Sequence, residues 1–275
     1  MTGASPPNEE TSPARAIRLA CVFAHPDDDA YLIGGTLLRH RGEVDLTLVF
    51  ATSGGAGPIS DPKLATRETL WEVREREQRR CLEILGYQDA RVEFLHHPDY
   101  YLPGVPLERL TSDIYAVLEE VDPHVVVSFG ADGLTSHHDH VRVGEAATEA
   151  FHRLRSRDRS RNGSFQRLYY VALPRADVDR FYEGVRRGGY DYGEEGRLFD
   201  VTGVPDEQIA VRETLDAVRD RKLEGILAHR TQMVEYERIP EPLRWIYLDA
   251  EHFVQAYPLE RPSEVRSNLF GDIVR

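Results

Sequence analysis

Short runs of apolar residues recur along the first half of the chain and alternate with stretches whose polar residues are spaced as on helices. Residues 17–23 (IRLACVF), 44–51 (VDLTLVFA) and 125–129 (VVVSF) are apolar almost throughout, which is typical of strands buried on both faces of a sheet. The whole pattern predicts strands at 17–23, 44–51, 91–95, 125–129 and 168–173, and helices at 30–40, 66–85, 107–121, 141–154 and 213–228.

The regular alternation of strands and helices determines the expected fold class. Apolar strands joined by helices indicate a parallel sheet with helices on both faces, so we predict an α/β fold with a Rossmann-like, mostly parallel sheet. The second half is less regular, and the Gly-, Tyr- and charge-rich stretch 176–207 yields no assignment. Because no linker or repeat divides the chain, we expect one domain at 16–275 with a C-terminal elaboration, preceded by a disordered tail at 1–15.

Composition narrows the choice of partners. The 47 acidic and 34 basic residues give a formal net charge of −13 at pH 7, and an acidic surface does not attract nucleic acid or anionic membranes over distance. No apolar run approaches the roughly 20 residues of a membrane span, and residues 1–15 lack an apolar segment of signal-peptide type. Two cysteines, Cys21 and Cys81, cannot build a disulfide framework. We therefore expect a soluble, cytoplasmic protein.

Two clusters of histidine and aspartate follow predicted strands. Residues 25–29 (HPDDD) come directly after the first strand, and 137–140 (HHDH) lie in the segment after the strand at 125–129. Ligands of doubly wound sheets bind at the carboxyl ends of the strands. Both clusters are therefore expected at the same edge of the sheet.

The first cluster suits a catalytic metal. Pro26 fixes its own φ and favours a turn, after which His25 and Asp28 can face the same way. Asp27, between them, can point at a water in an open coordination position. With a histidine from 137–140 added, two imidazoles and one carboxylate form a typical catalytic zinc site. A solvated helix start would explain three successive aspartates, but neither the His-Pro before them nor the second cluster.

These motifs resemble those of the PIG-L/LmbE-like N-deacetylases. Residues 24–29 (AHPDDD) are similar to the family's A-H-P-D-D-E motif, and 137–140 to its H-x-D-H motif. Further similarities, between residues 18 and 232, are A-T-x-G at 51–54, R-x-x-E at 74–77, Asp99, Lys222 and H-x-[ST]-Q at 229–232. The resemblance implies a hydrolase that removes the N-acetyl, or a related acyl, group from a small N-acetylglucosamine-type conjugate. It also implies a divalent metal, usually Zn²⁺, with Fe²⁺ as another option.

The resemblance also implies roles for individual residues. By motif position, His25, Asp28 and His140 would bind the metal. Asp27 would be the general base, and His137, as a cation, would stabilise the oxyanion and protonate the leaving amine. The residues expected to bind substrate are Arg74 and Asp99, and those expected to support the ligands from behind are Asp29, Asp139 and His229.

Some alternatives stay open at this point. Asp29 stands where the family usually has Glu, and Thr135 where some sugar-conjugate deacetylases have Tyr, so the substrate of those enzymes is not transferred to this chain. A thiol-conjugate amidase, which cuts a larger amide next to glucosamine, would use the same metal centre. A metal- or sugar-binding protein without turnover would need neither Asp27 nor His137. A homo-oligomer is compatible with an enzyme of this kind.

Overall fold

Seven strands form one mixed sheet in the computed structural model, which describes residues 16–157, 163–190 and 201–274. Their order across the sheet is β3-β2-β1-β4-β5-β7-β6, and the pairs from β3 to β5 are parallel. The strands are β1 (Ile17–Phe23), β2 (Val44–Phe50), β3 (Arg91–Phe94), β4 (Val125–Phe129), β5 (Arg167–Ala172), β6 (Ile209–Thr214) and β7 (Ala250–Tyr257). The prediction of an α/β fold with a mostly parallel sheet is confirmed.

Strand β1 lies at the centre of the parallel part of the sheet, and it is therefore buried on both faces. All of its residues except Arg18 are buried, and β2 pairs with it in register from Ile17–Val44 to Phe23–Phe50. On its other side β4 pairs with it through Leu19–Val125. The chain order reverses between β1 and β4, and ligands of such sheets bind at this point.

Ten α-helices are found in the described ranges. They are α1 (Asp28–Leu32), α2 (Gly34–Arg39), α3 (Leu70–Leu85), α4 (Leu107–Val121), α5 (Gly133–Ser136), α6 (His138–Ser156), α7 (Arg175–Gly188), α8 (Arg219–Leu227), α9 (Met233–Arg238) and α10 (Trp245–Leu248). Helices α4 and α6 pack on each other and on β1, whereas α2 and α3 pack on α8. Because crossovers between parallel strands are right-handed as a rule, we expect these two groups on opposite faces of the sheet.

Most predicted elements are present, but one prediction is wrong. The helix expected at 213–228 begins only at Arg219, and Glu213 belongs to strand β6. The carboxylate of Glu213 is fully buried, where it accepts a hydrogen bond from Leu269 N at 2.7 Å and pairs with Arg39 and His40. A buried carboxylate with partners from distant segments stabilises the strand at this position. The helix expected at 30–40 is divided in two at Ile33, which has a φ of −144°.

The C-terminal elaboration is antiparallel. Strand β7 pairs with β5 on one side and β6 on the other, and no strand had been predicted at 250–257. Helix α7 begins at Arg175 and covers the first part of the stretch 176–207 that yielded no assignment. Residues 191–200 of that stretch lie outside the described residues, as does the expected tail at 1–15. One buried apolar cluster includes residues of six of the seven strands, all but β3. The single domain at 16–275 stays a prediction.

A buried ion pair connects this elaboration to the start of the chain. Lys222 is fully buried, and its Nζ lies 2.7 Å from Glu251 Oε1. The same ammonium donates to the carbonyl oxygens of Tyr31 and Tyr247, at 2.7 and 2.5 Å. Burial lowers the pKa of Lys222, although the charge of Glu251 acts in the opposite direction. The ammonium thus holds α1 and α10 in fixed positions relative to each other.

We expect Lys222→Met to lower the free energy of unfolding by about 3–5 kcal/mol, because it leaves the carboxylate of Glu251 buried without its cation. The measurement is urea denaturation at neutral pH. Lys63→Met, which changes an exposed lysine in the same way, is the matched control and should stay within about 0.5 kcal/mol of the wild type. A loss below about 1 kcal/mol for Lys222→Met would contradict the role of this pair.

Cys21 and Cys81 are both buried and free. Within the described ranges, no helix is both long and apolar enough to cross a membrane.

Candidate metal and catalytic site

The two histidine-aspartate clusters meet at one edge of the sheet. Strands β1 and β4 are parallel neighbours, so the segments that follow Phe23 and Phe129 leave the sheet side by side. The segment after β1 carries His25 and Asp28, and the segment after β4 carries His140 on the first turn of α6. The meeting expected from the strand ends is therefore observed.

The three side chains expected to bind a metal converge on one point. His140 Nε2 lies 3.3 Å from His25 Nδ1 and 3.4 Å from Asp28 Oδ1, and His25 Nδ1 lies 3.8 Å from Asp28 Oδ2. One ligand atom from each residue lies within 4.8 Å of the others. Two imidazole nitrogens and one carboxylate at this spacing fit a divalent ion with room for further ligands.

The charges around these ligands also fit a cation. Burial raises the pKa of Asp28, but the neighbouring His140 and His25 outweigh it and hold that pKa at about 2. Burial lowers the pKa of His25, but hydrogen bonds to Asp139 and Asp99 outweigh it and raise that pKa to about 10. The site therefore stabilises positive charge, which either protons or a metal ion can supply.

Two carboxylates support His25 from behind. Its Nε2 lies 3.1 Å from Asp99 Oδ1 and 3.4 Å from Asp139 Oδ2, on the side of the ring opposite the ligand atom. The carboxylate of Asp139 is fully buried and also accepts hydrogen bonds from the backbone N–H groups of Tyr100 and Leu102, at 2.7 and 3.0 Å. Such carboxylates fix the orientation of a ligating imidazole and raise its basicity.

This contact gives Asp99 a role beyond the one expected from the motif. Its other oxygen accepts a hydrogen bond from Ala56 N at 2.6 Å, so both oxygens have partners within the protein. We expect Asp99→Asn to weaken metal affinity by about 10- to 100-fold, the usual effect of removing a carboxylate behind a ligating histidine. Metal affinity measured by competition with a chelating dye tests this. A change confined to KM, with metal affinity unaltered, would instead support substrate binding alone.

The backbone of Asp27 adopts an unusual conformation. Its φ is 122°, a value that residues other than glycine rarely adopt and that is typical of functional positions. The Arg74 guanidinium stabilises this turn by donating to Pro26 O at 2.7 Å and to Asp27 Oδ2 at 3.0 Å. Burial raises the pKa of Asp27 to about 7, although the charge of Arg74 acts to lower it. A carboxylate with a pKa near neutrality is suited to general base catalysis.

Arg74 lies deeper than a typical substrate-binding arginine. It is 3% exposed, and its Nη1 also donates to Gly54 O at 3.0 Å. A Cβ at Gly54 would lie 2.2 Å from Nη1, and the φ of Gly54 is +67°, so this position requires glycine. Arg74 lines the same cavity as the ligands, but its contact with Asp27 gives it a further role in positioning that carboxylate.

His137 lies next to His25 and His140 and caps the N-terminus of helix α6. Its Nδ1 accepts a hydrogen bond from Asp139 N at 3.2 Å, and its ring centroid is 5.0 Å from that of His25. Burial and the charges of His25 and His140 lower the pKa of His137 to about 4. The neutral imidazole is therefore favoured, in contrast to the cation expected from sequence. With Nδ1 as the acceptor, the proton of neutral His137 is on Nε2.

The structure does not place Asp29 and His229 in contact with the ligands. The carboxylate of Asp29 is buried and accepts a hydrogen bond from Gln78 Nε2 of α3 at 2.8 Å. His229 is 2% exposed, and neither ring nitrogen has a hydrogen-bond partner among the described residues. Burial lowers the pKa of His229 to about 3, with a further contribution from the charge of Arg74. Of the three side chains expected behind the ligands, only Asp139 contacts a ligand directly.

A cavity of about 500 Å³ opens onto these groups. The three ligands line it together with Asp27, Arg74, Asp99 and His137, so the structure brings together all seven residues expected to bind metal or substrate or to act in catalysis. Sequence reasoning missed Tyr31 and Tyr247, whose rings lie 5.3 Å apart in the lining. No motif identifies these tyrosines, because Lys222 brings their segments together from distant parts of the chain.

The sequence matches one protein family and is similar to several named relatives. Residues 20–151 match the family described as PIG-L: GlcNAc-PI de-N-acetylase. The chain is 30% identical over 244 residues to a 1D-myo-inositol 2-acetamido-2-deoxy-alpha-D-glucopyranoside deacetylase of Nocardiopsis dassonvillei, covering 79% of this chain and 85% of the relative. It is 39% identical over 131 residues to a protein of Bacillus anthracis named "Probable N-acetyl-alpha-D-glucosaminyl L-malate deacetylase 2". That match covers 47% of this chain and 57% of the relative.

Solved structures share the fold. The N,N'-diacetylchitobiose deacetylase of Pyrococcus horikoshii superposes with a TM-score of 0.58 at 19% sequence identity, covering 87% of this chain and 84% of the other. At this identity the similarity establishes the fold and no more.

Proposed function

The chain belongs to the PIG-L/LmbE-like family of N-acetylglucosaminyl-conjugate deacetylases, and on that premise we propose that it hydrolyses the acetamide of an amino-sugar conjugate. The observation that carries the proposal is the convergence of His25, Asp28 and His140 in a cavity that Asp27 and His137 also line. A binding protein without turnover would need only the first three of these side chains.

In this proposal His25, Asp28 and His140 hold a divalent ion. Zn²⁺ is the first candidate because two imidazoles and one carboxylate are a common ligand set of catalytic zinc, and Fe²⁺ is the second. When bound, the ion supplies a Lewis acid that polarises the amide carbonyl and makes water easier to deprotonate. The carboxylates of Asp99 and Asp139 hold His25 in the orientation that presents Nδ1 to this position.

The remaining steps are proton transfers by the chain's own residues. Asp27 accepts a proton from the water that attacks the amide carbon, and Arg74 keeps its carboxylate in place. The Nε2–H of His137 donates a hydrogen bond to the oxygen on which negative charge develops. Breaking the C–N bond requires a proton on the departing nitrogen, and the proton that Asp27 took from the water supplies it. The neutral His137 keeps its Nε2 proton throughout, so the protonation of the leaving amine implied by the motif falls to Asp27. The products are acetate and the conjugate with a free amino group on its sugar.

The test is an assay for released primary amine with N-acetylglucosamine conjugated to malate, to myo-inositol and to simple alcohols. We expect amine and acetate to appear in a 1:1 ratio in the presence of Zn²⁺, and both to fall after chelation. Release of a carboxylic acid larger than acetate from a thiol-conjugate substrate, without action on acetamides, would instead support the amidase. Binding of these conjugates without any amine release would support a binding protein and contradict the proposal.

A further inference from the structure

The two halves of the chain contribute different chemistry to the lining of the cavity. Its polar lining comes mostly from residues 25–140 and includes the ligands, Asp27, Arg74 and Asp99. From residue 173 onward, the described part of the chain contributes mainly apolar side chains, namely Leu173, Val178, Phe181, Val201, Ile239 and Ile246. Arg238, which is exposed, is the only charged side chain that this later part of the described chain adds to the lining. We refer to these six apolar side chains as the apolar wall.

The apolar wall is a built surface and not an accidental gap. Phe181 forms a small buried cluster with Val185 and Leu243, and the partly buried Ile239 and Ile246 pack against it. Ile239 and Ile246 also pack against the main core, as does Leu173. The Arg180 guanidinium lies 3.6 Å from the centroid of the Trp245 ring, which further fixes α7 against α10. The wall is therefore held in place both by the small cluster and by the main core.

From this division we infer that the substrate is an amino-sugar conjugate whose aglycone is apolar, an alkyl or aryl group that packs against the apolar wall. The inference rests on the proposed function and makes its substrate class more specific. The reaction removes an acetyl group, which has only one methyl group to bury, so the acyl side does not require a wall of this size. The volume of about 500 Å³ is within the usual range for sites that enclose a complete small ligand.

The names of the relatives suggest a different aglycone. Those names include malate and myo-inositol, which are rich in oxygen. Neither group offers hydrocarbon that could pack against the apolar wall. Burying their hydroxyl or carboxylate groups against six apolar side chains would be unfavourable, because desolvated polar groups need hydrogen-bond partners. We therefore expect both conjugates to be poorer substrates than an alkyl glycoside.

The first experiment compares kcat/KM for methyl, butyl and hexyl glycosides of N-acetylglucosamine, with the malate and myo-inositol conjugates alongside. Each methylene that becomes fully buried should raise kcat/KM about threefold to fourfold, so with all five additional methylenes buried the hexyl glycoside should exceed the methyl glycoside by about 10² to 10³-fold. A ratio above about tenfold supports the inference. A smaller ratio, or a higher kcat/KM for malate or myo-inositol, contradicts it. A gain with chain length only among N-acyl variants of the methyl glycoside also contradicts it, because the wall would then bind the acyl group.

The second experiment uses a matched pair of buried valines. Val178 and Val117 are 3% and 9% exposed, but only Val178 lines the cavity, whereas Val117 of α4 lies in the main core. Val178→Thr should lower the hexyl-to-methyl ratio about threefold to tenfold, because a hydroxyl replaces a methyl group at the wall. Val117→Thr introduces the same change away from the wall and should leave the ratio within about twofold. If Val178→Thr does not fold, Phe181→Leu tests the same wall. Equal effects of the changes at 178 and 117 contradict the inference.

A binding measurement separates failure of this inference from failure of the proposed function. Calorimetry with methyl and hexyl glucosaminide, the amine products, needs no turnover. Tighter binding of the hexyl product, with a more negative heat-capacity change, supports the apolar wall even if no acetamide is hydrolysed. Equal binding of the two products contradicts it, whereas hydrolysis of the methyl glycoside alone would leave the proposed function intact.

Discussion

Replacing Asp27 with Asn is expected to lower kcat by about 10² to 10⁴-fold, the usual range for loss of a general base, while the protein keeps its metal. The amide side chain has nearly the same shape but cannot accept a proton from water. Asn also tolerates a positive φ better than most residues, so the turn at φ 122° should persist. The measurement is steady-state kinetics together with metal analysis of the same sample.

Asp122→Asn is the matched control for this experiment. Asp122 also has a positive φ, 52°, and its carboxylate lies 3.6 Å from Arg18, much as that of Asp27 contacts Arg74. It lies just before β4, at the edge of the sheet opposite the site. Its kcat should stay within about twofold of the wild type. Near wild-type kcat for Asp27→Asn would rule out Asp27 as the base, and loss of metal would indicate a ligand instead.

Removing a metal ligand is expected to abolish both metal binding and turnover. His140→Ala removes one of three donors, and Asp28→Asn removes the only anionic donor with almost no change of shape. A metal that polarises a carbonyl contributes several kcal/mol to the transition state, so we expect kcat/KM to fall by about 10³-fold or more. Elemental analysis and kinetics of the purified variants test this.

The two ligand variants also control for each other. The His140 ring stacks on Phe129 at a centroid distance of 4.1 Å, so alanine at 140 also removes packing. Asp28 accepts hydrogen bonds from Ala24 N and His25 N, at 3.1 and 2.8 Å, and asparagine can still accept through its carbonyl oxygen. Metal loss in both variants, with thermal stability retained in Asp28→Asn, would assign the effect to coordination. A fully metallated Asp28→Asn would contradict the ligand set.

The convergence of the three side chains expected to bind metal could be predicted from sequence, because strand ends fix their position. His25 and Asp28 follow a strand that is apolar throughout, and His140 follows its parallel neighbour, so the topology alone brings them together. The contacts that Arg74 and Asp99 make inside the protein could not be predicted from sequence. Their contacts with Asp27 and His25 depend on the course of the loops at 51–57 and 95–101, which no periodicity specifies.

The C-terminal part of the fold was the hardest to predict, for a related reason. Glu213 lies in a stretch whose charges are spaced as on a helix, yet its buried partners come from residues 39–40 and 269. Tertiary contacts of this kind override local propensity. Asp29 is a second example. Sequence placed it behind the metal ligands, but its buried carboxylate instead accepts a hydrogen bond from Gln78 of α3.

The measurement that tests the account most directly is a metal titration of the wild-type protein during hydrolysis of an N-acetylglucosamine conjugate. The metal is first removed with a chelator, and Zn²⁺ is then added back in steps while released amine is measured. The account predicts that activity is lost on chelation and returns in proportion to added metal until about one ion is bound per chain. Full activity in the chelated protein, with metal absent by elemental analysis, would contradict it.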